Sequence, residues 1–473
     1  MLDILDTILA YLGSVSSYGN DVRMTLAGLA RTCRAFQDPG LNGLRKSQTG
    51  LALALRCFPD DLWDRSNGSE KLTFTGLKRP LVLADWERPL LYWNRIQCFY
   101  IHSFDPEEIS PAVCETLRMC CPTQHLFPTL REIKWFDEDP FRLSIFAIFL
   151  SPQVRRIGLF PGHSMAHLSV LPSLGIKYPD LAELDFRGIY RESCGPLFLK
   201  SVLALLSNLP HLEWLGIPNI DALILDRLAR LRSLKTLVVD VPSVPEFSVD
   251  VNGSTRRSQA LEELCLWSTT PEIAIAIIEP VSHPLREIGL RIESEFPDAQ
   301  MTARLYSAIR VNANRSCGTM KSLHMEDEWA ESRAETPSDD EFDSYVVESK
   351  VLETLFLFIN LIKIILQPYH GFDLDDEMVS RMARAWSRVE ELRMIFSADL
   401  HIAEVLTRTT LLGIHTIAMH CLNLHTLELY FDASAIPALV FSDPLPESHC
   451  RVPIEFLQGS VGKKSGSSWR QLV

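Results

Sequence analysis

The sequence predicts an α/β fold built as a solenoid of stacked repeats, parallel strands inside and helices outside, preceded by a small all-helical module. Three observations carry that expectation. A short pattern, apolar-x-x-apolar-x-apolar, recurs from residue 130 almost to the end of the chain. Its copies start 24, 27, 31, 22, 27, 24, 35, 41, 28 and 35 residues apart, the spacing of repeats with occasional insertions. Between the copies lie stretches whose apolar residues fall at helical spacing.

The copies run Leu130/Ile133/Trp135, Val154/Ile157/Leu159, Leu181/Leu184/Phe186, Leu212/Leu215/Ile217, Leu234/Leu237/Val239 and Leu261/Leu264/Leu266. They continue as Leu285/Ile288/Leu290, Met320/Leu323/Met325, Leu361/Ile364/Leu366, Val389/Leu392/Met394 and Leu424/Leu427/Leu429. The last two apolar residues of each copy alternate as in a strand, and the first turns the chain into it. This is the leucine-rich-repeat signature. One such unit cannot bury its own apolar side, so neighbours must stack and share a continuous core.

The chain has 473 residues, is 47% hydrophobic and carries a formal net charge of −14. That is enough apolar material for more than one domain. The acidic balance argues against general nucleic-acid binding, which needs Lys and Arg to neutralise phosphates. No apolar run approaches a membrane span; the best, 355–366, is interrupted by Asn360 and Lys363. The first residues lack a basic start followed by an apolar signal core, which argues against secretion. Eleven cysteines, an odd number without a paired framework, fit reduced thiols and a cytoplasmic or nuclear location.

Residues 1–48 read as the helical module. Leu5, Ile8, Leu9 and Leu12 form one stripe, a Ser/Gly loop follows at 13–20, and Asp21 can cap a second helix bearing Leu26, Leu29, Ala30 and Cys33. Pro39-Gly40 is expected to interrupt that helix before a third, short one with Leu41 and Leu44. So small a core leaves apolar surface for a partner to cover. Residues 49–125, with Trp63, Trp86 and Trp93, are expected to connect and cap the solenoid, with one or two irregular repeats near 96–101. Within the solenoid, 126–432, helices are expected at 198–209, 273–278 and 374–386, and a helix over 351–358 should feed the Leu361 strand.

The acidic segment 326–345 carries nine acids against Arg333 and is expected to be an uncored loop. Thr336-Pro337 and Ser338-Asp339-Asp340-Glu341 within it resemble kinase sites, which makes Thr336 and Ser338 candidate phosphorylation sites. After Phe431 the pattern fades, and 433–473 reads as a divergent tail.

Leu5-x-x-Ile8 with Tyr11-Leu12, then Leu26-x-x-Leu29-Ala30-x-x-Cys33-Arg34-Ala35-Phe36 and Leu41-x-x-Leu44, resembles an F-box. The similarity continues through Phe58-Pro59-Asp60-Asp61-Leu62-Trp63, Asp85-Trp86-Glu87-Arg88, Gly371-Phe372-Asp373-Leu374 and Met382-Ala383-Arg384-Ala385-Trp386. Over about 1–435 the chain is similar to the F-box proteins with degenerate leucine-rich repeats found in mushroom-forming fungi. The resemblance implies a substrate-recognition subunit of a cullin–RING (SCF-type) ubiquitin ligase. Leu5, Ile8, Leu12, Leu26, Leu29 and Phe36 would then build the F-box that docks the Skp-type adaptor and cullin scaffold, and the repeats would hold a protein target. It also implies further repeats after those seen here. The alternative is a ligase-independent scaffold with a decayed F-box: the usual Leu-Pro opening is missing, and Arg45-Lys46 stand where an aromatic residue is usual.

Motifs for chemistry are weak. His163-x3-His167 lacks a further ligand and reads as surface histidines; His420-Cys421 reads as a helix end entering a strand; Cys114, Cys120 and Cys121 form no metal knuckle. No catalytic elbow or phosphate loop of correct spacing is present, so no catalysis, metal or cofactor is expected. Residues beside each buried pair should instead face the concave side, nine acids against six bases. On that face Trp214, Trp267, Arg291, Arg393 and Tyr430 are the candidate target-binding anchors, because aromatics and Arg dominate binding hot spots.

Overall fold

The computed structural model describes residues 20–67, 72–102, 107–136, 146–160, 165–187, 195–240, 260–279, 281, 283–292, 299–327, 346–368, 371–395, 408–432 and 455–456. The chain divides into two compact units, Met1–Leu212 and Glu213–Val473. That boundary falls inside the segment expected to be one solenoid.

The first unit opens with helices α1 (Asn20–Thr32) and α2 (Arg34–Arg45). The break between them is at Cys33, whose backbone is extended, and not at Pro39-Gly40, which lies inside α2. Packing overrides the proline here. A Cβ on Gly40 would sit 3.1 Å from Ala30, and one on Gly43 would sit 3.3 Å from the Leu26 side chain. The two glycines let the helices approach closely, which offsets the hydrogen bond lost at Pro39. The expected first helix, with Leu5, Ile8 and Leu12, lies outside the described residues.

Strands β1 (Ser47–Thr49), β4 (Cys98–His102), β6 (Glu132–Phe136), β7 (Arg156–Leu159) and β8 (Glu183–Asp185) pair in that order, all parallel. The sheet therefore begins well before the first recognised repeat, at the start of the expected connector. Gly50 makes this possible: at φ 72 it turns the chain from β1 into α3 (Leu51–Leu55), a conformation that suits glycine, and its N–H donates to the Tyr100 carbonyl at 2.8 Å. The remainder of the connector is an antiparallel pair, β2 (Trp63–Asn67) with β3 (Leu72–Leu77), extended by β5 (Glu107–Ile109). It also holds α4 (Glu87–Trp93) and α5 (Pro111–Cys120). Aromatic rings fill this end of the core. Phe58 meets Trp63, Trp86 and Trp93 edge-on at 5.3, 5.0 and 5.6 Å, and Trp93 meets Phe127 at 5.4 Å. The buried indole N–H groups of Trp63 and Trp93 donate to the carbonyls of Leu55 and Ala54. Helices α6 (Met165–Lys177) and α7 (Pro196–Leu206) complete the unit, with Gly175 against the Leu205 carbonyl.

In the second unit, β9 (Trp214–Ile217), β10 (Thr236–Asp240), β11 (Glu263–Thr269), β12 (Glu287–Ile292) and β13 (Ser322–Asp327) are joined by β15 (Lys363–Gln367), β17 (Glu391–Met394), β18 (Thr426–Leu429) and β19 (Glu455–Phe456) in one parallel order. A small separate pair is formed by β14 (Val347–Glu348) and β16 (Phe372–Asp373). The connections carry α8 (Ala222–Ala229), α9 (Pro271–Ile278), α10 (Ala299–Ser316), α11 (Asp376–Ala385) and α12 (Leu411–His420). Helix starts follow their local chemistry. Asp221 and Asp375 accept from N–H groups three residues on at 2.8 Å, and Pro271 occupies a first-turn position where no N–H is needed. The helix expected over 351–358 is a 3-10 segment, Ser349–Leu355.

All eleven apolar triplets are buried, none of their members more than 6% exposed. Their second members are in register across the second unit, Leu215–Leu237–Leu264–Ile288–Leu323–Ile364–Leu392–Leu427. Two boundaries differ from expectation. Glu326 and Asp327 are strand residues, paired with Arg291 and Ile292, so the acidic segment begins later than 326; residues 328–345, with Thr336 and Ser338, lie outside the described residues. Beyond Phe431 one more strand follows, β19, pairing Glu455 with Thr426.

Candidate functional site

Because strand side chains alternate, the residues between the buried ones share the opposite face of each sheet. In the first unit the hub of that face is Glu132. Its carboxylate accepts the Tyr100 hydroxyl at 3.2 Å and lies 3.6 Å from Lys134 Nζ and 3.8 Å from Arg156 Nη1. Arg156 reaches on to Glu183 at 2.9 Å. Lys134 also stands 5.6 Å over the Tyr100 ring and drapes across Gly158, where a Cβ would be 3.1 Å from its Cγ. Burial, and then the Glu132 charge, push the Tyr100 phenol and the Cys98 thiol up from their ordinary values. One position further along, Phe136 and Phe160 are in contact at 4.5 Å.

In the second unit the face carries a linked charge series over β15, β17 and β18. Lys363 Nζ meets Glu391 at 2.9 Å, Arg393 Nε meets the same carboxylate at 2.6 Å, and Arg393 Nη1 lies 3.2 Å from Glu428. Burial raises the Glu391 carboxyl, but Lys363 and Arg393 outweigh it and the net shift is downward. Towards β11 the balance reverses. Glu263 accepts the Thr236 hydroxyl at 2.9 Å, and Glu287 beside it is raised by burial and then by the Glu263 charge. Between the two regions His324 sits 3.6 Å from Glu326, and burial lowers its ring. The result is a surface of alternating sign whose charges hold one another in place. Among the described residues no group of three His, Cys, Asp or Glu could hold a metal ion, and no helix is long and apolar enough to cross a membrane.

The expected anchors are distributed over the second unit's sheet, with Trp267 and Arg291 on adjacent strands just beyond the paired Leu266 and Leu290. Trp267 is 41% exposed and pairs in register with Asp240, while Arg291, half-buried on the next strand, pairs with Glu326. Trp214 is half-buried two strands from Trp267, and Arg393 belongs to the charge series on β17. Tyr430 is buried: it lines a cavity of about 20 Å³ with Phe372, Leu374, Met394 and Thr409, so it contributes to packing more than to the exposed face. Among the adaptor candidates, Leu26 is 2% exposed and belongs to the α1–α2 core; Leu29 and Phe36 are half-buried; Leu5, Ile8 and Leu12 lie outside the described residues. His167, expected at the surface, is buried on α6, and Cys421 caps the end of α12 with its thiol near the Ala383 and Trp386 carbonyls. The repeat spacing places Lys363, Glu391, Arg393 and Glu428 on the shared face, and the register aligns Lys363 with Glu391 and Arg393 with Glu428; which charges pair is set by side-chain geometry that the spacing does not give.

No protein-family model matches this chain, and no curated protein matches it. Among solved structures, the crystal structure of a protein from Bacteroides fragilis is similar with a TM-score of 0.29 and 12% identity, over 57% of this chain and 66% of that one.

Proposed function

We propose that the chain is a non-catalytic, protein-binding receptor whose strand–helix units are leucine-rich repeats and whose exposed sheet face holds a protein target. The observation that carries this reading is the shared register. It leaves the same side-chain positions of successive strands on one face, with the charges of Lys363, Glu391, Arg393 and Glu428 held in place by one another. Such a surface orients a partner by electrostatic complementarity and offers Trp267 as an anchor. With the F-box resemblance of the N-terminal residues, the receptor serves a cullin–RING ubiquitin ligase in the cytoplasm or nucleus. Its contribution is proximity: tethering raises the effective concentration of target lysines near the ubiquitin-charged enzyme. The test is a pull-down of the full-length chain with purified Skp-type adaptor. Binding that falls roughly thirtyfold, about 2 kcal/mol, on Leu29→Ala or Phe36→Ala supports the ligase role. Absence of adaptor binding sinks it.

A second reading, a scaffold without a ligase, is favoured by one feature. Helix α2 is tied to the connector: Arg95 pairs with Asp38 at 2.7 Å and also bonds Asn42, and Arg45 stacks over the Tyr92 ring at 4.9 Å. The helices are thereby built into the first unit. A chain that binds targets yet ignores the adaptor would fit this second role.

A further inference from the structure

We infer that a basic groove in the first unit is a docking site for a linear acidic segment, rich in carboxylates or phosphoserine, of a partner protein. The groove has a volume of about 520 Å³ and runs along the strand entries between α1 and the sheet. Five cations line it, Arg23, Lys46, Arg131, Arg155 and Arg156, against one lining carboxylate, Glu132. This concentration of positive charge stands in a chain whose formal net charge is −14.

Three of the five cations stand in one row, with Gln97 between the first two. The N–H groups of Gln97 and Cys98 donate to the Lys46 carbonyl, those of Arg131 and Glu132 to the Gln97 carbonyl, and those of Arg155 and Arg156 to the Arg131 carbonyl. Lys46, Gln97, Arg131 and Arg155 therefore occupy the same position on four successive strands. With neighbouring strands about 4.8 Å apart, the row from Lys46 to Arg155 spans roughly 14 Å, the length of about four extended residues. A compact anion would need its cations converging on one point; a row suits a chain of charges.

Neutralisation from within the described residues is partial. Arg155 is 3.3 Å from Asp180, and Arg156 is 2.9 Å from Glu183, but the side chains of Arg23, Lys46 and Arg131 make no ion pair among the described residues. The helix side contributes the apolar Val22, Leu26 and Leu44 beside Arg23. An acidic peptide with an occasional apolar residue matches both the cations and the apolar side chains that line the groove. The inference does not depend on the ligase reading.

The test is fluorescence anisotropy of the full-length chain with a labelled octaglutamate peptide and with a labelled peptide of four phosphoserines alternating with leucine. The expected result is saturable binding of at least one peptide, weakened tenfold or more between 50 and 300 mM salt as screening shortens. Lys46→Glu combined with Arg131→Glu should weaken it a further tenfold or more at constant salt. Arg304→Glu, a charge reversal at one exposed position on α10, should leave it within twofold. The wild-type salt series needs no variant and decides the matter should the double variant fail to fold. The proposal is overturned if neither peptide binds, if Arg304→Glu weakens binding as much as the double variant, if a single-stranded oligonucleotide binds as tightly as the peptides, or if millimolar pyrophosphate alone displaces them completely.

Discussion

Asp376 and Thr410 are joined by two hydrogen bonds: the Asp376 carboxylate accepts from the Thr410 hydroxyl at 2.7 Å and from the Thr410 backbone N–H at 2.7 Å. The same carboxylate accepts from the Gly413 N–H at 3.0 Å, while Thr410 Oγ1 caps the Leu412 N–H at 3.1 Å. One side chain in the first turn of α11 thus holds the N-terminus of α12, and α11 is itself capped by Asp375. Asp376→Ala should cost about 1–2 kcal/mol in the unfolding of the second unit, since it removes the acceptor of three part-buried hydrogen bonds at the start of the next helix. Gly413→Ala should destabilise by a similar amount, because a Cβ there would lie 2.6 Å from Asp376 Oδ1 and 2.8 Å from Thr409 Cγ2. Denaturant unfolding of the two variants checks both values.

Adjacent residues on β11 should behave oppositely. Leu266 is fully buried and Trp267 is 41% exposed. Leu266→Ala should lose about 2–5 kcal/mol of stability, whereas Trp267→Ala should lose less than about 1 kcal/mol while weakening target binding. Thermal melts and a binding assay on the pair separate core from face.

Arg393 lies between Glu391 and Glu428, and the Glu428 side chain is only 8% exposed. Removing the cation leaves a carboxylate with little water to solvate it. Arg393→Ala should therefore destabilise by about 1–3 kcal/mol, and Glu428→Gln in the same chain should recover part of that loss. A double-mutant cycle in denaturant gives the coupling.

The connector should show an acid dependence. Arg79 forms two hydrogen bonds to the Asp85 carboxylate, at 2.8 and 2.9 Å, and a third to Asp61 at 2.9 Å; the Val82 N–H also donates to Asp85. The Arg79 hydrogen bond, and then that of Val82, hold the Asp85 carboxyl below its ordinary value. A carboxyl lowered in the folded state stabilises at pH above its unfolded value and loses that contribution as pH falls through the folded one. Asp85→Asn should accordingly be less stable than the native chain at pH 7, and the gap should narrow as the pH falls below the ordinary aspartate range. Melting temperatures of both proteins across pH 2–7 test this.

The sequence was most legible where one residue type had one task. The apolar triplets were readable because their spacing repeats and each member is buried, and the return helices at Pro196–Leu206, Pro271–Ile278 and Asp376–Ala385 because their apolar residues fall at helical spacing. The break in the N-terminal module was misplaced because Pro39 is an ordinary helix breaker, while the close contact of Gly40 with Ala30 is tertiary and leaves no local mark. Strand β1 was missed because three residues, Ser47-Gln48-Thr49, carry too little apolar pattern, and Tyr430 looked like an anchor because alternation does not reveal how a loop folds over a strand end. The repeat spacing aligns Glu132 with Arg156 and Glu183, but neither Tyr100 in that cluster nor the row Lys46–Arg131–Arg155 could be placed without the register of the earlier strands.

That register is also what the functional reading rests on, and cysteine cross-linking tests it most directly. Glu287 and Ser322 are direct partners on β12 and β13, whereas Lys363 pairs with Ser322 from the far side and lies one strand further from Glu287. A disulfide needs Cα atoms within about 7 Å, which neighbouring strands meet and next-but-one strands, about 10 Å apart, do not. Mild oxidation should therefore bridge Glu287→Cys with Ser322→Cys, mapped by mass spectrometry, and leave Glu287→Cys with Lys363→Cys unbridged. Bridging of the second pair without the first would contradict the stacked order of the repeats, and with it the binding face.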